Sequence, residues 1–539
     1  MGGFRANDGL QAEAEAESAT VPARATPATA DTAVPVSRHP TARHRAPRPP
    51  RGIYFLLGLL AVLAIQAALS IRLLWANTAF NDEALYLWSG HWEIAHLLHG
   101  TAIPQFQRYF SGAPVIYPIV GALAAEHGGL TAARLLSLAF MLGTTLLLYG
   151  ATSRLFGRKA GVCAAAVFAF LGPVQVLGSF ATYDAMAIFL LALSSWLVIQ
   201  ARGWASESLL IIAAEVLVLA DATKYATALW NPVVILLAAL TATEGGWLRR
   251  SFRSMRLAVY TGAVMALALR LGGPSYLAGI LVTTLARQAG GVSPGNVLRD
   301  AAPWIGIVLL LALRAVVIAR GRREQLLCAL LAVAVLLAPL EQARIHTLTS
   351  LEKHVAFGAW FGAIAAGYVL ARAVEDSKYW RWRIVPATAA VVLGFGVLQA
   401  NTFDARWPDA ARPTAVISHV ARGTHRPILA EEAEIFRYYL RLPPGARMFT
   451  LKGFYYWDVA ERKELTGIPA LRLAISQHYF SDIELDFYFP NELSYEMATL
   501  DAVRANRGYR LIARIPWRDG SDSNFFMIWR YEPSSGGQR

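Results

Sequence analysis

Two carboxylates stand side by side in the stretch FNDEALYLWSGHW, at Asp82 and Glu83. Such a pair can supply a base together with an orienting or metal-binding partner. Local geometry constrains how. Asn81 or Asp82 can cap a helix that begins at Glu83. Adjacent helical residues point about 100° apart, so the two acids cannot meet one group in the same way. One can face a reacting group while the other binds a metal or orients the site. Leu85, Trp88, Trp92 and Ala95 fall on one face, and tryptophans suit the headgroup level of a membrane. The plain alternative is that acids at a helix start complement the helix dipole and do nothing more.

Further polar clusters bear on that choice. SFATYD (179–184) opens an apolar run with Asp184, and DATKYA (221–226) places Asp221, Lys224 and Tyr225 at the edge of another. EQARIHTLTSLEKH (341–354) adds Glu341, Arg344, His346, Glu352, Lys353 and His354. Singly, each reads as an interfacial anchor or a snorkelling chain. Together they form a rim of acids, bases and metal-ligand types. Glu215 falls inside an apolar run, where an ionisable group is costly. Arg270 ends another run and reads as a phosphate contact or an anchor. Neither is given a role.

The elements that must position these residues are membrane spans. Of 539 residues, 55% are hydrophobic and only 16% charged, against about 25% charged in an ordinary soluble domain. Apolar stretches near or above the roughly 18 residues needed to cross a bilayer recur along the chain. The formal charge of +13 does not indicate nucleic acid, because the basic residues cluster in short loops between apolar runs, as the positive-inside rule expects. Cys163 and Cys328 both sit inside apolar segments, so core packing accounts for them, and no disulfide framework or CxxC metal site exists. No fixed-period repeat is present.

Residues 1–51 lack an apolar core and read as a disordered cytoplasmic tail ending in the basic RHPTARHRAPRPPR. The first span, 53–75, then delivers Asp82 and Glu83 to the outer face. APVIYPIVGALAA (113–125) is short and holds Pro114 and Pro118; as a full crossing it would put RLFGRK and WLRRSFRSMR outside. Read instead as a short helix at the outer interface, it leaves spans near 131–152, 160–179, 184–201, 208–222, 225–243, 257–271, 301–318, 325–340, 354–371 and 384–400, eleven in all with the first. The polar clusters and a long segment near 272–300 then lie outside. The expected fold is an α-helical polytopic membrane protein: a multi-span domain over 52–401 with a catalytic outer loop at 76–130, and a small extracytoplasmic α/β domain over 402–539. In that last domain the pattern predicts helices at 430–442, 469–479 and 493–506 and strands at 446–452, 482–489, 509–515 and 525–532.

An Asp-Glu pair in the first outer loop resembles the acidic motif of the C-superfamily membrane glycosyltransferases. The nearer resemblance is to the protein O-mannosyltransferase and lipid A aminoarabinose transferase group. It is carried by FNDEALYLW, APVIYPIVGAL, TAARLLSLAFMLGTTLLLYGATSRLFGRKAGVCAAAVFAF, ATYDAMAIFLLALSSW and TKYATALWNP, over roughly residues 53–240. It implies a multi-pass enzyme of the cell membrane that moves a hexosyl or pentosyl group from a polyprenyl-phosphate donor to an envelope lipid, glycan or protein hydroxyl at the outer face. Asp82 matches the catalytic acid and Glu83 its partner. A carboxylate base suits an attacking hydroxyl, and the leaving lipid phosphate needs cationic stabilisation. Lys224, Tyr225, Arg344 and Lys353 are the candidates for the donor phosphate, with His346 either beside them or ligating a divalent metal, the one cofactor expected. The sequence departs from the group before the short helix. The aminoarabinose transferases tend to carry an acid-Lys pair there, and this chain has SGAP, with Gly112 and Ala113. A transporter or flippase of lipid-linked sugars is the alternative for a chain of many spans, and a non-catalytic assembly or receptor protein is a third reading of the aromatic tail.

Overall fold

The structure, a computed structural model, describes residues 52–533 apart from 203–205, 243–245, 285, 287–288, 376–382, 405–406, 422–425, 489–491 and 518–523. The tail expected to be disordered, 1–51, lies outside the described residues.

Helices α1 (Gly52–Ile71), α2 (Asn81–His99) and α3 (Tyr117–Phe156) lead the bundle. Helix α3 leaves helical geometry at Gly128 and Gly129, which sets off the short Pro-containing helix expected before the next span. There follow α4 (Arg158–Ala169), α5 (Gly172–Leu177), α6 (Tyr183–Gln200), α7 (Ser206–Thr223), α8 (Asn231–Thr241), α9 (Trp247–Thr283), α10 (Pro294–Ile318), α11 (Arg322–Arg344), α12 (Leu351–Glu375) and α13 (Ile384–Asp404). Among the described residues, eight helices are long and apolar enough to cross a membrane: α1, α3, α6 and α9 through α13. The other three expected spans coincide with shorter, interrupted or more acidic helices. These are α4 with α5, α7 with Glu207, Glu215 and Asp221, and the 225–241 segment that ends in α8.

The long outer loop expected over 272–300 is half helix. Helix α9 breaks at Gly273 and then continues to Thr283. Pro274 opens that second piece, where a missing N–H goes unnoticed. Sequence reasoning reads this segment as a loop and misses the apolar YLAGILVT after Pro274.

Helix α12 runs through the middle of the bundle, with nearly every residue from Leu351 to Ala371 buried. Its small residues make this possible: a Cβ at Gly358 would stand 2.6 Å from the Ala334 carbonyl oxygen, and one at Gly362 would stand 2.5 Å from Val335. Close backbone approach through small residues is how helices associate where lipid removes the hydrophobic drive.

The chain then forms α14 (Ala411–Ala421), β1 (Ile428–Ala430), α15 (Ala433–Tyr439), β2 (Met448–Thr450), β3 (Tyr455–Asp458), β4 (Lys463–Thr466), α16 (Gly467–Ser476), β5 (Asp482–Leu485), α17 (Leu493–Ala505), β6 (Tyr509–Pro516) and β7 (Phe525–Tyr531). Sequence reasoning missed α14, the short β1 and the β3–β4 hairpin. The main sheet runs β2-β1-β5-β7-β6; β2, β1 and β5 are mutually parallel and β7 is antiparallel to β5 and β6. Successive strand residues face opposite sides. Ile428 and Ala430 pack with Ile417 and Phe436 of α14 and α15, whereas Leu429 joins Leu471, Ile475 and Leu500 of α16 and α17. The sheet region docks on the end of the bundle that carries α2. Ala79 N–H donates to the Tyr439 hydroxyl (2.7 Å), and Trp88 Nε1 donates to the Leu442 carbonyl (2.8 Å). Trp88 therefore holds this contact, with Arg437 over its ring at 5.4 Å, in place of the membrane-surface position expected for it.

Candidate active site

Helix α2 begins at Asn81, two residues earlier than the expected start at Glu83. Phe80 is the N-cap, and Glu83 reaches back to accept its backbone N–H at 3.0 Å, the half of a capping box that a third-position glutamate supplies. Glu83 is fully buried. It also accepts from Arg134 Nη2 (2.7 Å), Arg134 Nε (2.8 Å) and Ala181 N–H (2.7 Å). Arg134 in turn donates to the carbonyls of Leu74, Asn77 and Thr78. This pair ties α2, α3, the 74–78 turn and the 181 segment together. Glu83 does not face the cavity.

Asp82 points the other way, as adjacent helical residues must. Its Oδ2 accepts from Lys353 Nζ at 2.7 Å, and its side chain is 34% exposed while Lys353 is buried. No further protein donor to Oδ1 is present among the described residues. Asp82 opens into a cavity of about 1120 Å³ whose walls are mainly apolar and which also presents Tyr86, Tyr183, Asp221, Lys224, Tyr225 and Arg344. Tyr276, Leu277 and Ile280 of the second piece of α9 close one side.

A second buried ion pair lies beside the first. Lys224 Nζ is 2.5 Å from Asp184 Oδ1 and 4.6 Å from the centre of the Tyr183 ring, and Asp184 Oδ2 accepts from Thr182 at 3.0 Å. Asp221 accepts from Thr227 and Asn231, both at 2.7 Å. The SGAP departure has a structural counterpart here. Ala113 N–H donates to the Ala222 carbonyl (2.7 Å) and Tyr225 N–H to the Ser111 carbonyl (2.8 Å). A Cβ on Gly112 would stand 2.1 Å from the Thr223 carbonyl oxygen. The backbone segment 111–113 thus lies directly against the residues that deliver Lys224, and no side chain fits at 112.

Arg344 lines the cavity and is bidentate to Glu341, at 2.7 and 2.6 Å. Tyr225 also lines the cavity, and its buried hydroxyl has no hydrogen-bond partner among the described residues. His354 lines the cavity, with Gln342 on its Nδ1 at 2.7 Å. His346 is held elsewhere: its Nδ1 contacts the Val292 carbonyl at 3.0 Å, and it does not line the cavity. The metal set expected at His346 is not assembled. Among the described residues no group of three His, Cys, Asp or Glu is arranged to hold a metal ion. Of the acids at and beside the cavity, Asp82 and Asp184 are each bonded to an ammonium, and Asp221 to Thr227 and Asn231. Glu215 and Arg270 are exposed and line no part of the cavity.

Sequence reasoning missed Arg134, although a signal was present: an arginine inside TAARLLSLAF, a stretch read as a span, is costly unless paired. It also missed Tyr86, Tyr183 and Tyr276, because tyrosines at helix starts read equally well as interface anchors.

No protein-family model matches the chain, and no curated protein matches it by sequence. Solved structures do. ArnT from Cupriavidus metallidurans bound to undecaprenyl phosphate aligns at 14% identity and a TM-score of 0.58, over 90% of this chain and 99% of that one. The Archaeoglobus fulgidus oligosaccharyltransferase in its apo form aligns at 14% identity and 0.55, over 89% of this chain and 74% of that one. The same archaeal enzyme in complex with Zn and sulfate gives 13% and 0.51, over 86% and 72%. Across nearly its whole length, therefore, the chain shares the fold of these ArnT and oligosaccharyltransferase structures.

Proposed function

We propose that the protein is a glycosyltransferase that moves a sugar from a polyprenyl-phosphate donor to a hydroxyl of an envelope lipid, glycan or protein. The carrying observation is Asp82, seated in the first turn of α2 at the cavity wall and bonded on one oxygen to buried Lys353. Lys353 holds one carboxylate oxygen at hydrogen-bond distance. The other carboxylate oxygen is left to take a proton. The acceptor hydroxyl gives that proton to Asp82 Oδ1 as its oxygen bonds to the anomeric carbon. The bond from that carbon to the phosphate oxygen breaks, and polyprenyl phosphate leaves with the bonding pair. Lys224 and Arg344 supply positive charge to the leaving phosphate. The apolar cavity wall holds the start of the lipid chain. Glu83 positions Asp82 through Arg134. The likeness to an ArnT structure bound to undecaprenyl phosphate supports this class of donor.

By the basic-loop asymmetry, the cavity and the 402–539 domain face outside and the N-terminus the cytoplasm. The test is transfer in proteoliposomes with a panel of labelled polyprenyl-phosphate hexoses and pentoses, following release of polyprenyl phosphate. Asp82→Asn is expected to lower turnover by about 10²-fold or more. Undiminished turnover in that variant removes Asp82 as the base.

A further inference from the structure

The end of the bundle opposite the cavity gathers positive charge. Arg202 follows α6, Arg250 and Arg253 lie on the first turns of α9, Arg323 opens α11, and Arg154 ends α3. Two of these guanidinium groups are fixed by protein. Arg253 Nη2 donates to the Val198 carbonyl at 2.6 Å, in the last turn of α6. Arg323 donates to the carbonyls of Leu240 and Ala242, at the end of α8. Both cap helix C-termini, where a cation is favoured. That explains Arg253 and Arg323 but not their neighbours.

Arg154, Arg202 and Arg250 make no side-chain hydrogen bond or ion pair among the described residues, and the Nε atoms of Arg202, Arg250 and Arg253 are buried without an acceptor. The charges act on one another: Arg202 on Arg253 and Arg323, Arg250 on Arg323, and Arg154 on Arg202. The described acids at this end are taken up elsewhere. Glu207 is bonded to Arg256 and Tyr260, Glu324 to the Arg320 backbone N–H, and Glu375 to Lys159. Buried donors that lack acceptors, beside cations that lack counter-charge, call for an anion with several oxygens.

The surroundings select its source. On α9, Trp247, Leu248, Phe252 and Met255 are all more than half exposed. They recur at helical spacing, apart from the buried Arg253. An exposed apolar face next to unsatisfied guanidinium groups matches acyl chains next to a headgroup phosphate. We propose that Arg154, Arg202, Arg250, Arg253 and Arg323 form a phosphate site that holds the headgroup of an anionic lipid, in the leaflet opposite the catalytic cavity.

The full chain, purified in detergent, can be tested by native mass spectrometry with phosphatidylglycerol, phosphatidylcholine and inorganic phosphate. The proposal expects phosphatidylglycerol to be retained at a concentration at least fivefold lower than phosphatidylcholine. Arg202→Gln with Arg250→Gln should abolish that preference. Neither side chain has a protein partner among the described residues, so the variant should keep its melting temperature. Arg249→Gln with Arg322→Gln removes the same charge from exposed positions at this end and should keep the preference. Equal retention of the two lipids, or equal loss in both double variants, overturns the site as a specific one. Inorganic phosphate bound without lipid preference overturns the lipid assignment.

Discussion

Two regions of the molecule bury carboxylates in opposite ways. At the cavity end three acids meet a cation: Glu83 meets Arg134, Asp184 meets Lys224, and partly exposed Asp82 meets buried Lys353, while Asp221 is held by Thr227 and Asn231. In the sheet region, Glu431, Glu432, Glu484, Asp486 and Glu496 collect at the ends of β1 and β5 and the start of α17, all at most 4% exposed. There the bonds run between the acids and the backbone: Glu431 N–H donates to Glu484, and the N–H groups of Asp486 and Phe487 donate to Glu431. The nearest cations serve the edge, with Lys452 3.7 Å from Glu492 and Arg437 3.2 Å from Glu434. Clustered acids must share protons, so the sheet region responds to pH.

The sharpest way to break the comparison is at Glu83. Glu83→Gln leaves Arg134 charged and buried without its partner, and should cost about 3–5 kcal/mol. A large fall in melting temperature in detergent, with loss of transfer, is the expected result. Adding Arg134→Met should recover part of the stability, because replacing a buried pair by apolar groups is often neutral. If Glu83→Gln melts like the parent, the pair is not what ties α2 to α3.

The next largest effect is expected at Gly112. In Gly112→Val the added side chain meets the Thr223 carbonyl, and overpacking of this kind costs about 1–3 kcal/mol. Because the two backbone segments must part, Lys224 shifts from Asp184. Donor KM should rise more than stability falls. An unchanged KM would show that Lys224 is placed independently of the 111–113 segment.

A smaller effect belongs to the sheet region. Burial first, and then the neighbouring acids, hold Glu432, Glu484 and Asp486 well above the usual carboxylate range, and Glu496 is pushed up to about 9. Between about pH 4.3, where an unfolded glutamate titrates, and that value the folded state binds more protons than the unfolded chain. Stability therefore falls as pH rises through this window. Melting should be higher at pH 5.5 than at pH 8.5. Glu484→Gln keeps an oxygen for the Glu431 N–H and removes one charge, so it should gain about 1–3 kcal/mol at pH 8.5 and little at pH 5.5. A parallel response in Glu484→Gln and the parent would place the pH dependence elsewhere.

The same contrast governs what the sequence made legible. Apolar length and loop charge carried the helical bundle, the separate short helix over 117–127 and most of the α/β pattern. Those features rest on local composition and period. Asp82 and Glu83 could be sent in different directions from helical geometry alone. Their partners could not be read, because Lys353 stands 271 residues from Asp82 and Arg134 stands 51 from Glu83. His346 shows the converse: a plausible ligand by type, it is turned to the Val292 carbonyl by a turn no composition signal marks. The acid cluster was equally hidden. Glu431 and Glu432 lie in what reads as one amphipathic helix, AEEAEIFRYYLRL, until the three-residue strand β1 takes its first position for the sheet.

The finest test separates charge that stabilises from charge that binds. Arg344 is 65% exposed and its partner Glu341 lies three residues earlier on the same helix, a geometry in which solvent screens the attraction. Arg344→Gln should therefore leave melting unchanged, unlike any change at Glu83. If Arg344 meets the donor phosphate, the variant raises donor KM severalfold, and added salt weakens donor binding less in the variant than in the parent. If both melting and KM stay where they were, Arg344 is a rim anchor, and Lys224 is left as the cation facing the leaving phosphate.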